Sequence, residues 1–395
     1  GLKPKQIIGF WPTSTMFVIL SVSLFYNFAA INGTLEKMSG ALLYACRNFP
    51  GLLPYALFAV AVILSVMGAT FFTVLAFLAP ITLVICDESR MDKLTGAVAI
   101  NCGALAGGNF PTSNLGVVFR GLSDTAYEAS PEIAAVDSFN MEMKIFAFAI
   151  FFSLILITIF RFGFKENRNI GKGVTFKKPE SFTKDQKTTL TLMMAMMAVV
   201  LIFPLLNILM PGNAAVKYIS GKVDVGLVAI IFTVIALLLK LAPQKEAIAK
   251  VPWIIMIAGA GMLIAVAVEA GTIEALSTWI GSNVPKPLVP IAFCLVGAIM
   301  SFFSSTTGVV APALFPLIPN LAASVGLSAP VLFACTILGA QSSAISPFSS
   351  GGSLILGSTP KEEERNELFN RLLMVAVPIS VITCTIYNFV IAMVL

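Results

Sequence analysis

Short polar residues interrupt four of the most apolar stretches of this chain. The interruptions lie at residues 68–73, 108–116, 304–309 and 345–353, and each combines Gly with Ser, Thr or Asn. A helix that breaks inside a membrane frees peptide N–H and C=O groups, which then need partners. The N–H groups at the start of a half-helix suit an anion, whereas freed carbonyls and hydroxyls suit Na⁺. The four segments therefore predict a site for an anion and a cation.

These segments form two pairs at one fixed spacing. Residues 65–80 align with 301–316, and residues 103–116 align with 339–352, in both cases 236 positions apart and without a gap. The identical pairs are Ser65/Ser301, Thr70/Thr306, Val74/Val310, Leu78/Leu314, Pro80/Pro316, Gly103/Gly339, Ala104/Ala340, Pro111/Pro347, Ser113/Ser349 and Gly116/Gly352. Helix packing explains single Ser, Thr or Gly residues in a membrane helix, but it does not require the same breaks twice. Broken helices at matching places in two halves point to the substrate site of a secondary transporter.

The candidate ligands are short polar side chains and backbone groups of these segments. For the anion they are Thr70, Asn109, Thr112, Ser113, Asn114, Ser305, Thr306, Ser349 and Ser350. For Na⁺ they are Gly68, Thr70, Gly108, Asn109, Ser304, Thr306, Ala344, Ser346 and Ser350. None of the four segments contains an ionisable residue, and the chain has no His. Because a proton-coupled carrier usually has an ionisable residue inside the membrane, the sequence favours Na⁺ as the coupling ion.

Arg120 lies six residues beyond Asn114. We interpret it as an interfacial arginine whose head group reaches the membrane surface. A charged residue at the mouth of the cavity is the alternative.

Composition places the chain in a membrane. Apolar residues make up 57% of it and charged residues 11%, and its mean hydropathy is +0.93, whereas soluble domains are about 25% charged. The predicted spans are 13–31, 145–160, 190–210, 223–241 and 372–395. With no His, no Cys cluster and no paired intramembrane carboxylates, the sequence lacks a catalytic constellation, and it predicts no enzyme and no organic cofactor. It also lacks a basic, aromatic-interleaved patch, which excludes nucleic-acid binding.

The distribution of positive charge orients the spans. Residues 161–187 hold eight Lys and Arg residues and are placed in the cytoplasm, whereas the acidic stretch 120–144 is placed outside. A first hairpin at 53–86 would then enter from the cytoplasm, and a second at 288–318 from outside. The sequence thus predicts an all-α polytopic membrane protein with two inverted repeats, each with a re-entrant hairpin and an interrupted helix.

The repeats define the expected domains. We expect a first repeat at 1–160, a cytoplasmic linker at 161–187 and a second repeat at 188–395. The transport domain would comprise 53–160 and 288–395, and the scaffold 11–50 and 188–287. Spans 188–210 and 223–241 have no counterpart in the first half, so we expect that repeat to be incomplete at its N-terminus.

At these residues the chain resembles a known group of carriers. The stretches FWPTSTMFVILSVSLFYNFAAINGTLEK, APIT and GGNFPTSNLGVVFRG resemble the malonate/dicarboxylate carrier (MatC-type) branch of the ion transporter superfamily, which is related to the divalent anion/sodium symporters. The resemblance implies a homodimer with elevator-type alternating access. In those symporters each hairpin tip carries Ser-Asn-Thr; here Thr70, Ser304 and Thr306 match, and both Asn residues are missing.

The expected function is Na⁺-coupled symport of small dicarboxylates such as malonate or succinate across a bacterial cytoplasmic membrane. One Na⁺ would lie between the first tip and 109–116, and another between the second tip and 345–353. The substrate would bridge the two tips. An H⁺-coupled carrier or an anion exchanger on the same scaffold is the alternative.

Overall fold

The computed structural model describes most of the chain. The described residues are 3–9, 13–45, 50–170, 180–210, 213–220, 225–249, 266, 270, 275, 279, 282–302, 305–359 and 362–394. No strand occurs among them, which confirms the predicted all-α fold. Ser304, most of the predicted span 253–270 and part of the surface stretch 271–287 lie outside the described residues.

The helices follow one another with short connections. Before the linker they are Pro4–Gly9, Thr13–Ile31, Thr34–Ala45, Leu53–Val66, Phe71–Ser89, Lys93–Gly108, Asn114–Glu128 and Ser138–Gly163. After it they are Lys184–Leu209, Ala214–Ser220, Val225–Leu238, Gln244–Ala249, Val289–Phe302, Thr306–Val325, Ala329–Ser342, Ser350–Gly357 and Glu362–Val394. Ser138–Gly163 is called the bridge helix below, and Glu362–Val394 the C-terminal helix.

Two hairpins and two interrupted helices lie where the sequence predicts breaks. The first hairpin comprises Leu53–Val66 and Phe71–Ser89, and the second comprises Val289–Phe302 and Thr306–Val325. The first interrupted helix comprises Lys93–Gly108 and Asn114–Glu128, and the second comprises Ala329–Ser342 and Ser350–Gly357. Residues 67–70 and 303–305 are the hairpin tips, and residues 109–113 and 343–349 are the first and second break loops.

The helix ends repeat at the same spacing as the sequence. The first arms of the two hairpins begin at Leu53 and Val289, 236 positions apart, and end at Val66 and Phe302. The second half-helices begin at Asn114 and Ser350, again 236 positions apart. The duplication therefore extends from the residue types to the bounds of the helices.

Prolines account for irregular turns in the second half. Pro312 and Pro316 lie in the second arm of the second hairpin, which begins as a π-turn at Thr306–Val310 and contains a 3₁₀ turn at Phe315–Leu317. Another π-turn, Leu372–Ala376, precedes Pro378 in the C-terminal helix. A proline has no N–H for the helical ladder, so the hydrogen-bond spacing changes nearby.

The first hairpin opens toward the C-terminal end of the bridge helix. Asp92, just after the hairpin, donates its N–H to Asn167 Oδ1 at 2.9 Å, and Gly51, just before it, accepts a hydrogen bond from Arg161 Nε at 3.3 Å. Arg371 pairs with Asp92 at the same place, with 2.6 Å between Nη1 and Oδ1. The segments that the sequence places inside, around 161–170 and 361–371, thus meet at this end.

The second hairpin opens toward the opposite end of the bridge helix. Val284 and Leu327, which flank this hairpin, pack on the same hydrophobic cluster as Ile133 of the loop before the bridge helix. Phe333 lies near Tyr127, with 6.2 Å between their ring centroids. The two hairpins therefore enter the fold from opposite ends of this helix.

Three expectations about local structure are wrong. The charged segment 361–371 is helical from Glu362 and runs directly into the C-terminal helix. The acidic stretch 120–144 is mostly helical, with a loop only at 129–137, because Asp137 Oδ1 accepts hydrogen bonds from the backbone N–H groups of Phe139 and Asn140. Residues 306–309 are a helical π-turn rather than part of a break.

The surface of the long helices is that of a membrane protein. Among the described residues, three helices are long and apolar enough to cross a membrane: the bridge helix, Thr306–Val325 and the C-terminal helix. The bridge helix exposes Phe151, Ile155 and Ile159, which recur every four residues along one face. An exposed apolar stripe on a helix of this length fits contact with lipid rather than water.

Candidate binding site at the helix breaks

The first break loop is closed by its own serine. Ser113 Oγ donates to the carbonyl oxygens of Gly108 and Phe110, the latter at 2.9 Å. Ser113 is also the N-cap of the half-helix Asn114–Glu128, yet its hydroxyl makes no capping bond to that helix. A methyl group on Gly116 would lie closer than 3.0 Å to the Phe110 carbonyl oxygen, so the loop folds tightly onto the half-helix.

The second break loop has the same geometry, 236 positions later. Ser349 Oγ donates to the carbonyl oxygens of Ala344 at 2.5 Å and Ser346 at 2.8 Å. Ser349 is the N-cap of Ser350–Gly357 and likewise makes no side-chain capping bond. Gly352 is as close to the Ser346 carbonyl oxygen as Gly116 is to that of Phe110. Both half-helices thus begin without a side-chain cap, and their N-terminal dipoles remain available to an anion.

Each break loop lies against the first arm of the hairpin in its own half. A methyl group on Gly107 would collide with the Val62 carbonyl oxygen, so the two backbones are in direct contact. At the equivalent position Ser343 Oγ donates to the Ala298 carbonyl oxygen at 2.7 Å. The break loops and hairpins are therefore neighbours within each half, as the sequence predicts.

The two halves meet through a pair of buried amides. Asn109 Nδ2 donates to Gln341 Oε1 at 3.0 Å, and Gln341 Nε2 donates to Asn109 Oδ1 at 2.7 Å. Asn109 is 0% exposed and Gln341 is 6% exposed. The reciprocal pair satisfies both amides and fixes the first break loop against the end of Ala329–Ser342.

A second cross-half contact brings the second break loop to the first hairpin. A methyl group on Gly351 would lie 2.8 Å from Asn101 Oδ1, 2.6 Å from the Ala344 carbonyl oxygen and 2.9 Å from Phe71 Cζ. Asn101 is buried, and its Oδ1 has no hydrogen-bond partner among the described residues. A side-chain oxygen and a freed carbonyl oxygen therefore lie around one point beside the first hairpin.

The hairpin tips carry buried hydroxyl groups. Gly68 turns the first tip with φ +97°, a conformation that favours glycine, and Thr70 follows it with 8% exposure. In the second tip Ser305 Oγ accepts from Gly308 N at 3.3 Å, and Thr306 Oγ1 lies 3.2 Å from Ser301 Oγ. Thr70 and Thr306 are equally buried and lie 236 positions apart.

The structure places the predicted ligands in three kinds of position. Ser113, Ser346 and Ser349 have hydroxyls that bond backbone groups of their own loops. Thr112 is buried in the first break loop, and Asn114 begins its half-helix and is partly buried. Ser350 begins the other half-helix; its side chain, like all of Ser304, lies outside the described part of the chain.

Backbone groups predicted as Na⁺ ligands differ in their surroundings. The carbonyl oxygens of Gly108 and Ala344 accept the serine hydroxyls of their loops. A methyl group on Gly108 would lie 2.7 Å from Leu115 Cδ1, so this glycine is needed for close packing. The N–H of Gly68 donates to the Ser65 carbonyl oxygen at 2.9 Å.

Arg120 does more than reach toward the membrane surface. Its Nη1 donates to the Pro111 carbonyl oxygen at 3.2 Å, and its guanidinium lies over the Phe139 ring, 5.2 Å from the centroid. The sequence favoured an interfacial arginine, and the structure instead connects this side chain to the first break loop. The spacing from Asn114 predicted proximity but not direction.

Sequence reasoning missed Asn101, Gln341 and the buried carboxyl group of Glu142. Their counterparts at the 236-residue spacing, where the chain has them, are apolar: Ile337 for Asn101 and Leu105 for Gln341. A search for duplicated polar residues passes over such positions. The available signal was a single amide within an otherwise apolar run.

Comparison with known proteins supports a transporter. Residues 1–108 match the family model for the N-terminus of the dicarboxylate carrier protein MatC. No curated protein matches the chain by sequence. Among solved structures, the YdaH transporter of Alcanivorax borkumensis matches with a TM-score of 0.68 and 16% identity, over 98% of this chain and 86% of that one.

A second solved structure gives a similar result. MtrF of Neisseria gonorrhoeae, described as illuminating a class of antimetabolite efflux pumps, matches with a TM-score of 0.63 and 14% identity, over 99% of this chain and 83% of that one. At these identities the likeness concerns the fold alone. The chain is thus a multi-pass membrane transporter rather than an enzyme, and over residues 1–108 it matches the dicarboxylate carrier family.

Proposed function

We propose that this protein is a Na⁺-coupled symporter of small dicarboxylates such as malonate or succinate. The observation that carries the proposal is the pair of uncapped half-helix N-termini, Asn114–Glu128 and Ser350–Gly357, whose N-cap serines donate away from the helix. Two such N-termini, held in related positions by duplicated loops, suit the two carboxylates of one substrate. The match of residues 1–108 to a dicarboxylate carrier supports the same substrate class.

In this proposal the anion is held by dipoles and neutral side chains. Thr70 and Thr306 from the hairpin tips, and Thr112 and Asn114 from the first interrupted helix, donate hydrogen bonds to the carboxylates. Ser305 and Ser350 contribute from the second half. Asn109 acts together with Gln341, because the two amides satisfy each other when no substrate is bound.

Sodium ions supply the compensating charge in this proposal. One Na⁺ site uses oxygen atoms of the first tip and of Gly108 and Asn109. The other uses oxygen atoms of the second tip and of Ala344, Ser346 and Ser350. The Asn101 side-chain oxygen, which lies beside Ala344 and has no partner among the described residues, adds a ligand of the kind that Na⁺ accepts.

The transport cycle in this proposal is an elevator. Hairpins and interrupted helices pack on one another and would move together as the transport domain, comprising 53–160 and 288–395. The scaffold, comprising 11–50 and 188–287, would form the homodimer in a bacterial cytoplasmic membrane. Support comes from the MatC-type resemblance and from the hairpins opening toward opposite ends of the bridge helix, as inverted repeats would.

Uptake by proteoliposomes tests the substrate and the ion. We expect labelled malonate or succinate to accumulate when Na⁺ is imposed outside, and not when K⁺ replaces it. Asn114→Ala should remove most uptake, whereas Asn283→Ala, which removes an exposed amide, should not. Uptake that ignores the Na⁺ gradient but follows a pH step or internal substrate would reject Na⁺ coupling in favour of an H⁺-coupled carrier or an exchanger.

A further inference from the structure

One buried carboxyl group lies outside the helix breaks. Glu142 is 0% exposed in the bridge helix, and neither of its carboxyl oxygens has a hydrogen-bond partner in the part of the chain that the structure describes. Its neighbours Met141 and Ile145 belong to the same hydrophobic cluster as Phe119. A carboxylate that loses its water without gaining a partner is strongly disfavoured in its ionised form.

Arg120 connects this carboxyl group to the first break loop. It is the charged residue that acts electrostatically on Glu142. Its guanidinium donates to the Pro111 carbonyl oxygen and lies over Phe139, which precedes Glu142 by three residues, about one helical turn. One cation is thus shared between a break-loop carbonyl and the surroundings of a buried acid.

Other helices packed against the bridge helix bring no second charge to Glu142 among the described residues. Asp124 and Glu128 lie on the same half-helix as Arg120 and are exposed, as is Lys144 on the bridge helix. Lys93 pairs with Asp87 and Glu364 at the far end of the fold. The remaining titratable groups on the packed helices are neutral thiols and phenols: Tyr55, Cys102, Tyr127, Cys335, Cys384 and Tyr387.

We propose that Glu142 is a proton-binding site whose state is transmitted to the first break loop by Arg120. When the carboxyl group holds its proton, Arg120 stays on the Pro111 carbonyl and the Phe139 ring. When the proton leaves to water, a buried negative charge remains, and Arg120 is the cation able to pair with it. Turning the guanidinium toward Glu142 withdraws its hydrogen bond from Pro111 and loosens the loop that begins at Asn109.

Hydrogen exchange of the substrate-free protein tests this link directly. The full chain in nanodiscs is compared at mildly acidic and mildly alkaline pH, with amide exchange in residues 109–117 corrected for the intrinsic pH dependence. We expect the corrected exchange of the wild type to rise with pH, by up to about tenfold per pH unit for one linked proton. Glu142→Gln should show no such rise, and Glu132→Gln, at an exposed position, should behave as the wild type.

A second variant keeps the test decisive if Glu142→Gln does not fold. Arg120→Gln retains the acid but removes the connection, so the corrected exchange should lose its pH dependence. A wild-type loop whose corrected exchange ignores pH, or a Glu142→Gln protein that keeps the wild-type dependence, would overturn the proposal.

The consequence for transport rests additionally on the proposed function. We expect malonate uptake to fall with rising pH in the wild type and to respond far less in Glu142→Gln. The exchange measurement needs no substrate, so failure to transport a dicarboxylate would leave the proton link standing, and the reverse also holds.

Discussion

The two break loops share a backbone but differ in their side chains. Ser113 and Ser349 donate to carbonyls at equivalent positions, and Gly116 and Gly352 approach equivalent carbonyls. The amides, in contrast, are unequal: the first loop carries Asn109, where the second has Ile345. The duplication therefore specifies how each helix is broken, and the unduplicated residues specify how the two breaks meet.

Glycine contacts between hairpins and interrupted helices give the strongest test of the shared backbone. A methyl group on Gly103 or Gly339 would lie closer than 3.0 Å to the carbonyl oxygen of Phe58 or Cys294. Because backbone atoms cannot turn aside as a side chain does, Gly103→Ala and Gly339→Ala should each destabilise the protein by about 3 kcal/mol or more. Thermal melting in detergent should show a large decrease for both.

Gly357→Ala is the matched control, because nothing lies within 4 Å of the added carbon. Its melting temperature should stay near that of the wild type. A large decrease for only one of the two buried glycines would contradict the equivalence of the halves.

The amide pair tests the difference between the halves. Asn109→Ala leaves the buried Gln341 side chain without its partner, which should cost about 1–3 kcal/mol, and Gln341→Ala should do the same to Asn109. The double variant should lose less than the sum of the two, since neither amide is then left alone. A double-variant cycle on melting temperature measures this; additive losses would show that the pair contributes no shared stability.

The serines test whether equivalent geometry has equivalent energy. Ser113→Ala and Ser349→Ala each remove the hydroxyl that closes a break loop and should each destabilise the protein by about 1 kcal/mol. Ser324→Ala, in which an exposed hydroxyl is lost, serves as the control. If either serine variant retains wild-type stability but loses malonate affinity, that serine is a ligand rather than a loop closure.

Sequence patterns predicted the breaks better than they predicted the site. The spacing of Gly, Pro and Ser identified both hairpins and both interrupted helices, because backbone breaks require particular residue types. It did not show that Ser113 and Ser349 face their own loops, since spacing locates a residue but not the direction of its side chain. Glu142 was placed in an exposed acidic loop because the capping role of Asp137 and the apolar neighbours of Glu142 were overlooked.

The smallest expected effect comes from a position where the two halves solve the same problem differently. Gly107 lets its backbone touch the Val62 carbonyl directly, whereas Ser343 spans the equivalent gap with a hydrogen bond to the Ala298 carbonyl. Ser343 Oγ also lies 3.3 Å from the Ala340 carbonyl oxygen of its own helix, so part of its interaction is local. We therefore expect Ser343→Ala to cost about 1 kcal/mol or less, with a small decrease in melting temperature. A decrease as large as that of Gly339→Ala would mean that the hydroxyl, and not close backbone contact, holds the second interrupted helix to its hairpin.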